Sequence, residues 1–159
     1  MKQSSKTVSA SRAEQVHIIT PGDVNAGYTL FGGLLMQWID IVAGVTARRH
    51  SGCDVRTAAV DHLDFIAPAY INDIVTIAGR VTFVGTTSME VCVDTFVERM
   101  NDPDQRLHVN RAYLTMVAVD KDGKPCPVPG LICKTEAEKA DYEAGMERRA
   151  LRKRSQLYK

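Results

Sequence analysis

Asp40 is the residue whose surroundings most need an explanation. It is the only formal charge between residues 31 and 47, a run that otherwise carries Leu34, Leu35, Met36, Trp38, Ile39, Ile41, Val42 and Val45. An ionised carboxylate among so many apolar neighbours is strongly disfavoured unless partners compensate it. Two readings follow: a structural carboxylate satisfied by backbone or by Gln37, or a catalytic base or nucleophile held in apolar surroundings. A second signal is the sequence Phe31-Gly32-Gly33 at the head of the same run. The first amides of a helix have no intrahelical acceptor, its dipole favours negative charge there, and glycine lets a ligand approach the backbone. Such amides can polarise a carbonyl, although tight packing of a helix start against a sheet would use the same glycines. Asn25, in the loop Gly22-Asp23-Val24-Asn25-Ala26-Gly27, adds a neutral donor and acceptor, or serves only as a turn residue.

Gly33 and Asp40 are seven residues apart, which on a helix is about 10 Å along the axis. A group that activates a reacting atom must lie within about 3 Å of what it touches. One chain does not easily bring both to one carbonyl. If the glycine-flanked amides hold the oxygen and Asp40 delivers the attack, the carboxylate comes from a second chain packed two-fold beside the first. The chemistry therefore implies at least a dimer.

The elements that would position these groups are readable from periodicity. Residues 31–50 predict a helix whose apolar side chains point in nearly every direction, so that it should be surrounded. Arg48, Arg49 and His50 complement its carbonyl end, and Gly52 is a stop signal. Residues 13–20, around Val16-His17-Ile18-Ile19, predict a first strand ended by Pro21-Gly22-Asp23. Strands are expected at 55–66, 73–84, 88–99 and 109–120, with Asn101-Asp102-Pro103-Asp104 as a connection and hairpin-length links throughout. His62 and Asp64 are read as structural or rim residues. Residues 135–154 predict a polar helix, with Glu136, Glu138, Asp141, Glu143 and Glu147 ahead of Arg148, Arg149, Arg152, Lys153 and Arg154, the order a solvated helix uses against its own dipole. The expected division is a disordered tail at 1–12, a domain at 13–133, and a terminal helix and tail at 134–159.

The chain has 159 residues, 45% hydrophobic and 25% charged, the balance of one globular domain that needs no disulfide or structural metal, and the order of its elements, one sheet wrapped around one helix, makes an α+β fold the expectation. Twenty basic residues against 19 acidic ones leave a net charge of +1, which gives no global attraction for nucleic acid or an anionic membrane. Cys53, Cys92, Cys126 and Cys133 form no C-x-x-C pair, and the four histidines show no zinc spacing, so free thiols in a reducing compartment and no metal site are expected. The tail at 1–12 has no apolar stretch, and the run at 31–47 is short of the ~20 residues of a membrane span. A cytoplasmic protein is expected.

The segments Pro21-Gly22-Asp23-Val24-Asn25-Ala26-Gly27 and Phe31-Gly32-Gly33-Leu34-Leu35-Met36-Gln37-Trp38-Ile39-Asp40 resemble the hotdog-fold acyl-CoA thioesterases, of the bacterial YciA type and the mammalian cytosolic type. The likeness continues through Thr57-Ala58-Ala59-Val60, Phe65-Ile66-Ala67-Pro68, Val84-Gly85-Thr86-Thr87-Ser88-Met89 and Val117-Ala118-Val119-Asp120. It implies a long central helix wrapped by an antiparallel sheet, two such units joined edge to edge, and commonly a trimer of dimers. It also implies that Asp40 is the catalytic aspartate, that Asn25 works with it from the facing subunit, and that Gly32 and Gly33 bind the thioester oxygen. Substrate contacts are expected at Phe31, Thr57 and Phe65, and CoA contacts are implied at Gly85, Thr86, Thr87 and Ser88. Many relatives carry an arginine directly after that glycine; this chain has Thr86, so Arg56 or the terminal basic cluster would have to supply a phosphate contact.

The expected function is hydrolysis of an acyl-CoA to the free acid and CoA, with no metal or redox cofactor and CoA present only as part of substrate and product. A hotdog enoyl-thioester hydratase or dehydratase is the enzymatic alternative. It would pair Asp40 with a histidine, and the next along the helix, His50, is about 15 Å further on. A non-enzymatic acyl-CoA-binding module is the other.

Overall fold

The computed structural model describes residues 4–156, apart from the side chains of His62 and Pro103. Five antiparallel strands form one sheet in the order β2-β4-β5-β6-β3, with β2 (Ala13–Ile18), β3 (Asp54–Phe65), β4 (Ile74–Val84), β5 (Ser88–Arg99) and β6 (Asp102–Val119). The 20-residue helix α1 (Gly32–Ser51) crosses one face and contacts every strand. This is the α+β hotdog arrangement, a long helix in a curled sheet. Helix α2 (Glu136–Gln156) lies on the opposite face: Gly79 of β4 backs onto Val42 and Thr46 of α1, whereas the next residue, Arg80, bonds Asp141 of α2.

Helix α1 ends where the glycine signal placed it. Gly52 adopts φ 71, in the left-handed region, and donates its N–H to the Arg48 carbonyl at 2.8 Å. Its buried side chains include Leu35, Trp38, Ile39, Val42, Ala43, Thr46 and Ala47. The opposite stripe is not surrounded within one chain, contrary to the helical-wheel expectation: Met36, Ile41 and Val45 are 46%, 42% and 38% exposed. Edge strand β3 borders the same open region, and among the described residues it pairs only with β6.

Three further expectations are corrected. Residues 6–11 are ordered rather than a disordered tail. Lys6–Thr7 (β1) pairs in parallel with Leu131–Ile132 (β7), and the following turn buries Val8, which is 2% exposed. Composition could not show this, because the partner strand is more than a hundred residues away. Residues 1–3 lie outside the described part. Second, Asp102 already belongs to β6 and pairs with Arg99, so the β5–β6 hairpin is tighter and longer than its Asn-Asp-Pro-Asp sequence suggests. Third, α2 is not simply solvated: Phe83 and Tyr142 pack ring against ring at 4.9 Å, and Gly145 is buried against Phe83 and Glu90.

Charges buried under α2 are compensated. Glu90, 3% exposed, accepts two hydrogen bonds from Arg148 at 2.9 and 2.7 Å. Burial alone would raise the Asp94 carboxyl, but hydrogen bonds from Arg111, Arg80 and His108 hold it below the ordinary carboxylate range. Among the described residues, no helix is long and apolar enough to cross a membrane.

Candidate active site

The start of α1 is built by a backbone clasp. Phe31 is extended, donates its N–H to the Asp23 carbonyl at 2.8 Å, and accepts from the N–H groups of Leu34 and Leu35 at 3.0 and 3.1 Å. The amides of Gly32 and Gly33 find no acceptor among the described residues, so they are available donors at the positive end of the helix. A Cβ on Gly33 would stand 2.7 Å from the Phe31 ring, and one on Gly32 would touch Phe65 at 3.5 Å.

Asn25 organises the loop in front of those amides. Its Oδ1 accepts from the N–H of Gly27 at 2.9 Å and of Thr29 at 3.3 Å, and its Nδ2 donates to Thr29 Oγ1 at 3.1 Å. This is the turn role foreseen for it, and it leaves one Nδ2 hydrogen uncommitted. The turn also holds Tyr28 at φ 61, a left-handed conformation that costs an aromatic residue about 1–3 kcal/mol. Asn25, Gly32, Leu35, Phe65, Pro68 and Val75 are among the residues lining a cavity of about 380 Å³. Three residues singled out in the sequence, Asn25, Gly32 and Phe65, therefore converge on one mainly apolar chamber. Thr29 and Ala69 join them there without any distinguishing sequence signal.

Asp40 does not line that cavity. It sits on the open stripe of α1, exposed in the single chain, so the burial inferred from its apolar neighbours in sequence does not occur within one protomer. Its partner is Thr57, whose hydroxyl donates to Asp40 Oδ1 at 2.6 Å; Gln37 does not fill that place. Thr57 lies beside a register shift in β3, which aims the hydroxyl at the helix. The carboxylate thus has one oxygen fixed and the other open.

The remaining candidates gather elsewhere. In the turn after β4, Gly85 donates its N–H to the Ser88 carbonyl at 2.7 Å, and the Thr86 and Thr87 carbonyls accept from Val128 at 3.0 Å and Ala118 at 2.9 Å. Arg56 is exposed beside Gly123. Trp38 is structural, stacked on His17 with ring centroids 4.0 Å apart. His50 is fully buried, its Nε2–H donating to the Pro129 carbonyl at 3.1 Å, and burial pushes its pKa down. No group of three or more His, Cys, Asp or Glu side chains among the described residues could hold a metal ion.

The chain matches the Thioesterase superfamily model over residues 27–102. It is 39% identical to the acyl-CoA thioester hydrolase YkhA of Bacillus subtilis, over 94% of this chain and 83% of that one. With the cytosolic acyl coenzyme A thioester hydrolase of Rattus norvegicus it shares 36% identity over 89% of its length, but spans only 38% of that longer protein. The acyl-CoA hydrolase of Staphylococcus aureus, solved with butyryl coenzyme A and coenzyme A, superimposes with a TM-score of 0.90 at 35% identity, covering 96% of this chain and 93% of the other. A hexameric acyl-CoA thioesterase gives 0.93 at 38% identity, covering 98% and 99%. The Staphylococcus aureus protein has also been solved with an asparagine, an aspartate and a threonine each replaced by alanine. Those positions are spaced by 15 and 17 residues, as Asn25, Asp40 and Thr57 are here.

Proposed function

The chain belongs to the acyl-CoA thioester hydrolases of the thioesterase superfamily, and from that membership we propose that it cleaves acyl-CoA with water, giving the free acid and CoA, at a site completed by a second copy of the chain. The observation that carries this reading is the separation within one protomer. Gly32 lines the cavity and its amide and that of Gly33 are left without acceptors at the helix start, while Asp40, about 10 Å further along the helix, faces outward on an apolar stripe.

The acyl chain occupies the apolar cavity near Phe65, and the thioester oxygen accepts from the Gly33 amide. The partner's copy of Asp40, steadied by its own Thr57, removes a proton from water as the water oxygen bonds to the carbonyl carbon. Collapse of the tetrahedral species breaks the C–S bond, and the CoA sulfur leaves with the proton. Asn25 orients the water or the carbonyl through its free Nδ2 hydrogen. In the alternative version, Asp40 itself attacks, the CoA thiolate leaves, and water then opens the anhydride; label from isotopic water found in Asp40 after a single turnover identifies this route with water adding to the aspartyl carbon, because direct water attack never labels the enzyme.

The assembly proposed is a dimer through the α1 stripe and the β3 edge, with three dimers forming a hexamer. A cytoplasmic setting is proposed too, in keeping with four cysteines that are free thiols. The reaction as drawn uses no metal or redox cofactor, so a chelator should leave the rate unchanged. The hydratase alternative loses its base, because His50 is committed to Pro129 rather than aimed at Asp40. The direct test is release of CoA thiol from a series of acyl-CoAs. Wild type should release it, and D40A, folded and oligomeric, should lose about a thousandfold in kcat. Wild-type turnover in D40A would remove the assignment, and ligand recovered intact from wild type would favour a binding module.

A further inference from the structure

The basic block at the end of α2 divides into committed and uncommitted guanidiniums. Arg148 is paired with the buried Glu90, and Arg152 with Asp61. Arg149 has no carboxylate partner among the described residues, and its guanidinium carbon stands 5.6 Å from the Phe83 ring centre. It is nevertheless placed closely. Its Nη2 and Cζ lie 3.1 and 3.2 Å from where a Cβ on Gly85 would be, and Ser88 Oγ lies 3.1 Å from the same point. Glycine at 85 therefore opens the notch in which a guanidinium and a hydroxyl come together.

A second uncommitted cation shares that side of the sheet. Ser88 pairs with Val117, and Val117 pairs with Arg56, so Ser88 and Arg56 sit in one row two strand spacings apart, about 10 Å. Arg56 faces away from α1, because its neighbour Thr57 faces Asp40. It too lacks a carboxylate partner among the described residues. Two guanidiniums and a hydroxyl at this spacing form a shelf for more than one phosphate group. The shelf begins one residue from the threonine that holds Asp40.

We propose that Arg149, with Ser88 and Arg56 on the same side of the sheet, binds the phosphates of the CoA moiety, so that α2 supplies a cation to the notch that Gly85 opens. This rests on the acyl-CoA reading above and assigns a specificity residue within it. Arg149 acts on binding of the nucleotide end and not on the bond broken, so the effect belongs in KM.

The test compares acyl-CoA with acyl-pantetheine, which has the same thioester and arm but no phosphate. In R149A the ratio of kcat/KM on acyl-CoA to that on acyl-pantetheine should fall about tenfold, through KM. R149K should recover part of the loss, and T86R added to R149A should recover more. A ratio unchanged in R149A, or a loss shared equally by both substrates, overturns the proposal; the second outcome would make Arg149 a packing residue. Adenosine 3′,5′-bisphosphate gives a reading that needs no variant: it should compete with acyl-CoA on wild type, and its failure to compete also overturns the proposal. If wild type cleaves neither thioester, the hydrolase reading fails, while calorimetric binding of the bisphosphate to wild type and R149A still decides the phosphate shelf.

Discussion

The hydroxyl of Thr57 donates to Asp40 at 2.6 Å, and that short bond fixes one carboxylate oxygen and leaves the other to meet substrate or water. A hydrogen bond to a charged group is worth about 1.5–3 kcal/mol. If it positions the carboxylate for attack, T57V should lose on the order of tenfold or more in kcat with KM little changed, and T57S should retain most of the rate. Steady-state kinetics on one acyl-CoA reads this directly, and a T57V enzyme with full kcat would show that the contact serves packing only. Asp40 and Thr57 were both identified in the sequence, but not as a pair. A charge in an apolar run and a threonine in a strand are each visible locally, whereas the bulge that aims one at the other arises only when β3 pairs with β6.

Helix α2 shows how far an element can depart from its composition. Its acidic first half and basic second half describe a helix content in water, yet Arg148 reaches the almost fully buried Glu90 and Gly145 lets the backbone close on Phe83. Removing one partner leaves a buried charge uncompensated, so R148M should cost about 3 kcal/mol in urea denaturation, with E90M/R148M recovering much of it. Equal stability of R148M and wild type would mean that α2 is not held this way. At the far end of α1, His50 is buried, and its folded pKa is lowered from 6.5. The unfolded chain therefore takes up the proton first, so its stabilising contribution is complete above about pH 6.5 and is lost as pH falls towards the folded pKa. Thermal melts should show a falling Tm between pH 7 and 5, and H50Q, which keeps a donor for Pro129 but does not titrate, should flatten that slope.

At the scale of the whole molecule, the exposed stripe of α1 and the unpaired edge of β3 make the single chain an incomplete object. The apolar side chains Met36, Ile41 and Val45 flank Asp40, as an interface would require but a solvated helix would not. If Asp40 acts on a carbonyl held by the facing subunit, two inactive variants should complement each other. D40A and N25A, unfolded together and refolded at equal ratio, should regain about a quarter of wild-type sites, because half of the dimers are mixed and each mixed dimer has one intact site. Separately refolded variants should regain none. A mixture no more active than its components would place all catalytic groups within one chain.

What the sequence determined by itself was local. The lone carboxylate, the glycine pair that opens the helix, Asn25 ahead of it and Gly52 at its end are defined by neighbours a few residues away, and periodicity was enough to assign both helices and the five strands of the main sheet, though not β1, β7 or the first turn-side residues of β6. Tertiary structure decided which apolar faces are core and which await a partner, because a helical wheel records apolarity and not what covers it. It also decided that residues 6–11 are ordered against β7, that Thr57 is the partner of Asp40, and that Arg148 and Arg152 are committed while Arg149 is free to bind an anion. Each of these depends on contacts between segments far apart in the chain, which no local pattern encodes.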